Sequence, residues 1–298
     1  MRISTPYQFQ SYAGNVRQSY ERYFEAQRQA TTGKRWELAS EDPRAATQSI
    51  KLRGLKERLE GLNLNLRSAR DYLGNGENAL TEVSNLMRSA STMAIQGASS
   101  ANDQTAMLGL VDSVNRLQER LVALANTQGN AGQYIFAGQM SRTKPFNTVQ
   151  SGAANTLAFA GDTNDVFVEI RPNEQMRVTL DDPQTFFSQA FDALERLKNN
   201  LASGDVLKLS NESVAELRTA EQSTLRLRGQ LGGSLQAVAD LENENARRVD
   251  DFKKDLGSLE EVDLSDAFVR LQQAQVAYQA ALQTSAMGYQ LNLMDFLR

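Results

Sequence analysis

The side chains that most often carry out chemistry in proteins are scarce in this chain. It contains no Cys and no His. This composition excludes disulfides, thiol chemistry, zinc sites built on Cys or His, and acid–base catalysis by imidazole. The remaining candidates for paired catalytic carboxylates are two acidic clusters, Glu242/Glu244 and Glu260/Glu261. Residues one or two positions apart do not face each other on a helix, so neither cluster favours an enzyme.

Two short motifs suggest ligand binding, but neither fits the pattern that such a site requires. Residues 33–34 (GK) lack the upstream glycine and the following Ser or Thr of a phosphate-binding loop. Residues 161–165 (GDTND) lack the glycine and glutamate spacing of an EF-hand, and we predict a hairpin turn there. A net charge of −4 gives no electrostatic case for nucleic-acid binding. We therefore predict no catalytic residue, no cofactor and no metal.

The most regular feature of the chain is an apolar seam between residues 52 and 94. Its members alternate at spacings of three and four over about six heptads, which is typical of a long helix packed on other helices. The seam consists of Leu52, Leu55, Leu59, Leu62, Leu66, Ala69, Leu73, Gly76, Leu80, Val83, Met87, Ala90 and Ala94. At 1.5 Å per residue this helix would be roughly 65 Å long, so we expect a rod.

Further helices and a β insertion follow from the same kind of spacing. Seams at residues 107–124 and 214–259 predict two more helices of the rod, and Asn245 lies on the second of them, either buried as a register-setting residue or at a solvated edge. Asp42–Pro43 and Asp182–Pro183 each predict a cap followed by proline in the first helical turn. Residues 133–182 contain short apolar runs between turn signals, with strands expected at 156–160, 166–170 and 175–180.

Both ends of the chain are apolar helices, although chain ends are commonly frayed and polar. One explanation is that these helices dock on the protein's own core. The other is that they form a strip for neighbouring copies or partners. Under the second explanation the predicted assembly interface consists of Phe9, Tyr12, Val16, Tyr20, Tyr23, Phe24, Phe268, Leu271, Tyr278, Leu282, Tyr289, Leu293 and Phe296.

Several sequence blocks resemble the flagellin superfamily and, within it, the family of flagellar hook-associated protein 3. They are MRIST at residues 1–5, TTGKR at 31–35, SEDPRAA at 40–46, LANTQGNAGQYIFAG at 124–138, and the final block, LQQAQVAYQAALQTSAMGYQLNLMDFLR, at 271–298. The YIFAG block and the DP dipeptide favour the hook-associated family over flagellin itself. Together the blocks cover both chain ends and the start of the β insertion.

The predicted fold is mainly α, an elongated flagellin-like rod of long antiparallel helices with paired terminal helices and a small β insertion domain. The resemblance implies this arrangement, and the helical spacing independently indicates the paired ends, the rod and the insertion. We predict a terminal coiled-coil domain at residues 1–36 plus 262–298, a helical rod domain at 37–132 plus 183–261, and a small β domain at 133–182.

The resemblance also implies a function as a structural axial protein of the bacterial flagellum, joining the hook, through the first hook-associated protein, to the flagellin filament. The implied partners are other copies of the chain in a ring, the first hook-associated protein, flagellin and a flagellar export chaperone. No nucleic acid and no membrane are expected as partners.

The N-terminus lacks the apolar region of a cleaved secretory signal. The resemblance implies type III export to the extracellular flagellum. The alternatives are a flagellin that forms the filament itself and a general coiled-coil scaffold. The scaffold would explain the seams but not the aromatic ends.

Overall fold

The computed structural model describes residues 5–99, 104–151 and 154–296. Its helices are α1 (Thr5–Thr32), α2 (Pro43–Ser99), α3 (Gln104–Ala125), α4 (Pro183–Ser203), α5 (Val206–Lys208), α6 (Val214–Glu260) and α7 (Leu264–Phe296), with a π-helical segment, Leu209–Ser213, between α5 and α6. Its strands are β1 (Phe146–Ser151), β2 (Ala154–Phe159), β3 (Phe167–Arg171) and β4 (Glu174–Arg177). The predicted mainly α fold, with long helices, paired terminal helices and a small β insertion, is confirmed.

The chain forms two compact units. The first comprises Met1–Leu59 and Arg247–Arg298, and the second comprises Glu60–Ala246. The first unit therefore contains α1 and α7, together with the beginning of α2 and the end of α6. Residues 37–59 and 247–261 thus belong to the same unit as the chain ends, whereas the sequence led us to expect them in the rod domain. The division into three domains remains a prediction.

The seam of α2 supplies much of the core of the second unit, as its spacing predicted. Its fully covered members are Leu66, Ala69, Leu73, Leu80, Val83, Met87, Ala90 and Ala94. Facing side chains on α6 include Leu217, Leu227, Leu231 and Val238. The expectation was wrong for Leu55, which is 50% exposed. At that point α2 lies in the first unit, whose buried residues are mostly alanines.

An aromatic cluster joins the β insertion to α4 within the second unit. The ring of Phe187 lies 4.9 Å from that of Phe136, 5.1 Å from that of Phe146 and 5.0 Å from that of Phe186, centroid to centroid. Such edge-on arrangements of buried rings are favourable beyond the area that they bury. The insertion is therefore held to the helices by large side chains.

The strand pairing differs from the sequence expectation. β1 pairs antiparallel with β2, and β3 pairs antiparallel with β4, in two separate two-stranded sheets. The predicted hairpin turn at residues 161–165 was therefore wrong, because this segment connects the two sheets. The Asp162 carboxylate holds the connection by accepting hydrogen bonds from the backbone N–H groups of Gln139 (2.9 Å) and Asn164 (3.1 Å). β1 was not predicted, because its sequence, FNTVQS, is largely polar.

The helix ends follow the predicted local chemistry. Asp42 accepts a hydrogen bond from Ala45 N (3.0 Å), and Asp182 accepts one from Thr185 N (3.1 Å), so both predicted caps are confirmed. On α6, the buried Asn245 donates to Asn63 Oδ1 of α2 (3.1 Å). This polar pair lies within an apolar seam and favours one alignment of the two helices over others.

Candidate assembly surface

The segment between α1 and α2 contacts the segment between α6 and α7, at the end of the α1–α7 pair where α1 finishes and α7 begins. Gly33 ends α1 with a positive φ of 68°, a conformation that glycine adopts without strain. Arg35 N donates a hydrogen bond to Glu260 O (2.7 Å), and Val262 N donates one to Gly33 O (2.9 Å). These bonds fix the end of α1 beside the beginning of α7. We call this connection the joint.

Side chains reinforce the joint. The indole Nε1 of Trp36 donates to Leu259 O (2.9 Å). The Glu260 carboxylate accepts hydrogen bonds from the Ser49 hydroxyl and from Arg53 Nη2 (2.6 Å). Burial opposes ionisation of Glu260, but the bonds from Arg53 and Ser49 outweigh it and lower its pKa. Glu260 is therefore an ionised structural carboxylate that ties α6 to α2.

Two other carboxylates considered for catalysis, Glu242 and Glu244, also form ion pairs. Glu242 pairs with Arg70 (2.9 Å), and Glu244 pairs with Arg171 (3.1 Å), which anchors the β3–β4 hairpin to α6. In the described ranges, no three His, Cys, Asp or Glu side chains are grouped so that they could hold a metal ion. Across those same ranges, no helix has the length and apolar character needed to span a membrane.

The α1–α7 pair buries only small side chains among its described residues. The two helices run antiparallel, since Gly33 lies beside Val262 and the Tyr20 ring lies beside that of Tyr278. The side chains of the pair that are fully covered are Ala26, Ala30, Ala267 and Ser285. Each alanine buries about one methyl group, worth on the order of 0.8 kcal/mol. The buried side chains of the pair therefore contribute only a few kcal/mol of hydrophobic free energy.

Aromatic rings bridge the two helices without becoming fully covered. Tyr23 stacks on Tyr278 with a centroid distance of 5.9 Å and an interplanar angle of 8°. Tyr20 lies 5.6 Å from Tyr278 and 6.4 Å from Phe24. Tyr20 and Phe24 remain 50% and 58% exposed. Large apolar side chains therefore contact the pair while leaving much of their surface in water.

The predicted interface residues fall into three groups. Five are half-buried, namely Tyr12, Val16, Tyr23, Leu271 and Tyr278. Four are exposed, namely Tyr20, Phe24, Phe268 and Leu282. The side chains of four others lie outside the described part of the structure, namely Phe9, Tyr289, Leu293 and Phe296. That these residues form an assembly interface stays a prediction.

One flank of the pair carries an apolar groove of about 670 Å³. The groove is lined by Tyr12, Ala13, Val16, Arg17, Tyr20, Tyr278, Leu282, Ser285 and Ala286. Arg17 is the one charged residue among these, and it pairs with Glu21 (3.0 Å). Such a lining suits the apolar side chains of another helix, and it offers no acid, base or nucleophile pair for catalysis.

Sequence reasoning missed a second apolar surface, which lies on the outer side of α7. Val269, Val276 and Met287 are 51%, 65% and 63% exposed. With the exposed Ala280 they form a line at spacings of seven, four and seven residues, which we call the outer stripe. Val269 and Met287 are 18 residues apart, which is five full turns of an undistorted helix, so they point in the same direction. The available signal was the lack of any charged residue between Arg270 and Asp295.

Comparison with known proteins finds similarity to flagellar proteins in sequence and in fold. A family model for the bacterial flagellin N-terminal helical region matches residues 3–141. Flagellar hook-associated protein 3 of Salmonella typhimurium is 22% identical over 303 residues, covering 95% of this chain and 96% of that protein. Polar flagellin F of Vibrio parahaemolyticus is 29% identical over 128 residues, covering 42% of this chain and 32% of that protein.

A solved structure supports the same fold. The crystal structure of flagellar hook associated protein-3 from Legionella pneumophila superposes with a TM-score of 0.62 at 14% identity. The superposition covers 70% of this chain and 98% of that chain. At this level of identity the comparison speaks for the fold alone, and it agrees with the long helices and small sheets described above.

Proposed function

We propose that this chain is a structural protein of the bacterial flagellum of the hook-associated protein 3 kind, and that it joins the hook to the flagellin filament. The resemblance to that family is confirmed, since the similarity to the Salmonella typhimurium protein extends over 95% of this chain. The chain also shares its fold with the hook associated protein-3 of Legionella pneumophila.

The main support for an assembly role is the difference between the two units in how far their large apolar side chains are buried. The second unit closes over large side chains such as Phe187 and Leu80, which have no exposed surface. The α1–α7 pair covers alanines and leaves Tyr20, Phe24 and Phe268 at least half exposed. Apolar surface of this extent at both chain ends favours completion by other protein surfaces. The similarity to flagellar hook-associated protein 3 supports an assembly role over a catalytic one.

Filament flagellin is the second candidate function, and it is less supported. The similarity to polar flagellin F covers 42% of this chain and 32% of that protein, whereas the similarity to hook-associated protein 3 covers nearly all of both chains. A flagellin should polymerise alone into long filaments, and a junction protein should not. Electron microscopy of the purified protein at high concentration distinguishes the two.

The proposed partners are other copies of the chain in a ring, the first hook-associated protein on the hook side and flagellin on the filament side. A flagellar export chaperone is proposed to cover the C-terminal helix before export. The proposed location is the extracellular flagellum, reached through the flagellar export apparatus without a cleaved signal. The resemblance to flagellar proteins supports assembly with flagellar components as a class.

Gene deletion in the source bacterium tests the junction function. Without a junction protein the filament has no attachment to the hook, so we expect hooks without filaments, flagellin released into the medium and loss of swimming. Re-expression of the chain should restore all three properties, and re-expression of flagellin should not. Filaments that remain attached to hooks in the deletion strain would exclude a junction function.

A further inference from the structure

Glycines of α2 and α6 meet at one level of these two helices, within the second unit. They are Gly74 and Gly76 on α2, and Gly229, Gly232 and Gly233 on α6. The two helices run antiparallel, as the ion pairs along them show. A Cβ atom at Gly76 would lie 3.4 Å from Leu231 Cδ1, and the adjacent Glu77 pairs with Arg228 (2.7 Å). These contacts bring both sets of glycines together, and we call this position the glycine level.

Most of these glycines are not required by packing within the chain. A Cβ atom at Gly74, Gly229, Gly232 or Gly233 would meet no atom within 4 Å outside its own stretch of helix. The three glycines of α6 are exposed, and the last of them precedes Ser234 in a combination that is common where helices kink. Relative to alanine, each glycine in a helix interior disfavours the local helix by about five-fold. The exposed side of α6 is therefore weak at the glycine level.

The helices that surround α2 and α6 also change at the glycine level. Helix α3 runs antiparallel to α2, and its Arg120 pairs with Glu82. Since α3 ends only five residues later, at Ala125, it ends close to residue 77 of α2. Helix α4 packs antiparallel on α3 and begins at Pro183, close to the same end. Four helices therefore lie side by side on one side of the glycine level, and only α2 and α6 continue on the other side.

The two small sheets are attached on different sides of the glycine level. The β1–β2 sheet is attached to α4, where the Glu195 carboxylate accepts a hydrogen bond from a backbone N–H of β2 (3.3 Å). The β3–β4 sheet is attached beyond the glycines. There Arg171 pairs with Glu244 of α6 (3.1 Å), and Asn65 of α2 donates to a backbone carbonyl of β3 (3.3 Å). Residues 160–166 connect the two sheets, so a bend of the helices would move one sheet relative to the other.

We propose that the glycine level is a bending point of the second unit, at which the four-helix part and the two-helix part change their angle. Leu73, Leu80 and Leu231 are buried around this level, so the helices stay packed on their inner side while the outer side deforms. A cavity of about 550 Å³ borders Gly229 and Gly232 and leaves room for α6 to bend. The inference is independent of the proposed function, because it concerns the second unit alone.

Distances between spin labels in the full chain test the bending point. The natural chain has no Cys, so labels attach only to engineered positions. Ala202→Cys at the end of α4 and Gln175→Cys on β4 give a pair that spans the glycine level. Ala202→Cys with Gln184→Cys gives a reference pair within α4. All three positions are exposed.

Alanine substitutions at the glycines should suppress the bending. The stiffened variant combines Gly229→Ala, Gly232→Ala and Gly233→Ala, for which the structure has room. Together these three changes should favour the local helix by about 100-fold. The matched control carries three alanines at helical glycines with equal room but away from the glycine level, namely Gly54→Ala, Gly61→Ala and Gly109→Ala.

The spanning pair should give a broader distribution of distances than the reference pair in the chain with its natural glycines. The stiffened variant should narrow that distribution, and the control should leave it unchanged. Urea unfolding should show that each variant retains the fold, because alanine favours a helix over glycine. The bending point is refuted if the stiffened variant keeps the original width, if the control narrows it equally, or if the spanning pair is already as narrow as the reference.

Discussion

Replacement of Leu282 by Asp should block assembly and leave the folded second unit intact. Leu282 lies in the apolar groove on α7 and is 43% exposed. It makes no contribution to the core of the second unit, because it belongs to the first. The variant therefore separates loss of an interface from loss of the fold.

The magnitude follows from the exposed fraction. Full burial of a leucine is worth about 1.5–3 kcal/mol, so covering the remaining 43% is worth about 0.6–1.3 kcal/mol per copy. An aspartate at this position also places a carboxylate in the covered groove, whose one charged lining residue, Arg17, already pairs with Glu21, and burying that carboxylate costs several kcal/mol more. Each contact should be weakened by at least about 3 kcal/mol, which is on the order of 100-fold in affinity.

Two assays read the two effects separately. Urea unfolding of the purified monomer should show the main transition of the second unit at the wild-type midpoint. Swimming and filament attachment should be lost in cells that carry Leu282→Asp. The matched control is Ala277→Asp, which adds the same charge on the polar flank of α7, near Arg22 and Arg270, and should retain swimming.

The reasoning fails if Leu282→Asp still joins hook and filament in motile cells. It fails equally if Ala277→Asp abolishes attachment as completely as Leu282→Asp. In that case the effect would report any added charge on α7 and would not identify the groove.

Three further outcomes are expected. Limited proteolysis of dilute monomer should cleave residues 5–32 and 264–296 before the second unit, because the α1–α7 pair buries little apolar surface, and resistance of these ends in mass-mapped fragments would count against an interface there. Phe187→Ala should lower the free energy of unfolding of the second unit by about 3–5 kcal/mol in urea titrations, since its ring has no exposed surface. Burial raises the pKa of Glu195, but hydrogen bonds from Lys198 and Gln118 outweigh it and lower the pKa in the folded protein. As pH falls, Glu195 is therefore protonated at a higher pH in the unfolded chain than in the folded one. The second unit should therefore lose stability as pH falls from about 4.5 through the folded pKa, and Glu195→Gln should remove this part of the dependence.

The helical part of the fold could be predicted because its signals are local. Spacings of three and four residues indicated the seams of α2 and α6, and Asp42 and Asp182 marked helix starts through bonds to residues only three positions away. These features need no knowledge of the rest of the chain.

The strand pairing and the joint could not be predicted because their partners are distant in sequence. β1 is held by pairing with β2 and by the side chain of Asn126. That side chain accepts a hydrogen bond from Phe146 N (3.0 Å) and donates one to Phe146 O (2.9 Å). Trp36 and Leu259 are 223 residues apart, so no local pattern relates them. The sequence does contain a signal of the outer stripe, namely the lack of charged residues between Arg270 and Asp295. Which side of α7 the stripe occupies could be identified only once the face that packs on α1 was known.

The most direct measurement of the proposed role is immunogold labelling of the chain on detached flagella. A small epitope tag in the connection between the two sheets, at Thr163, would mark the protein within the second unit, which does not contain the α1–α7 pair. Labelling should appear at one position per flagellum, between hook and filament, in cells that swim normally. Labelling along the length of the filament would contradict the junction role and favour flagellin.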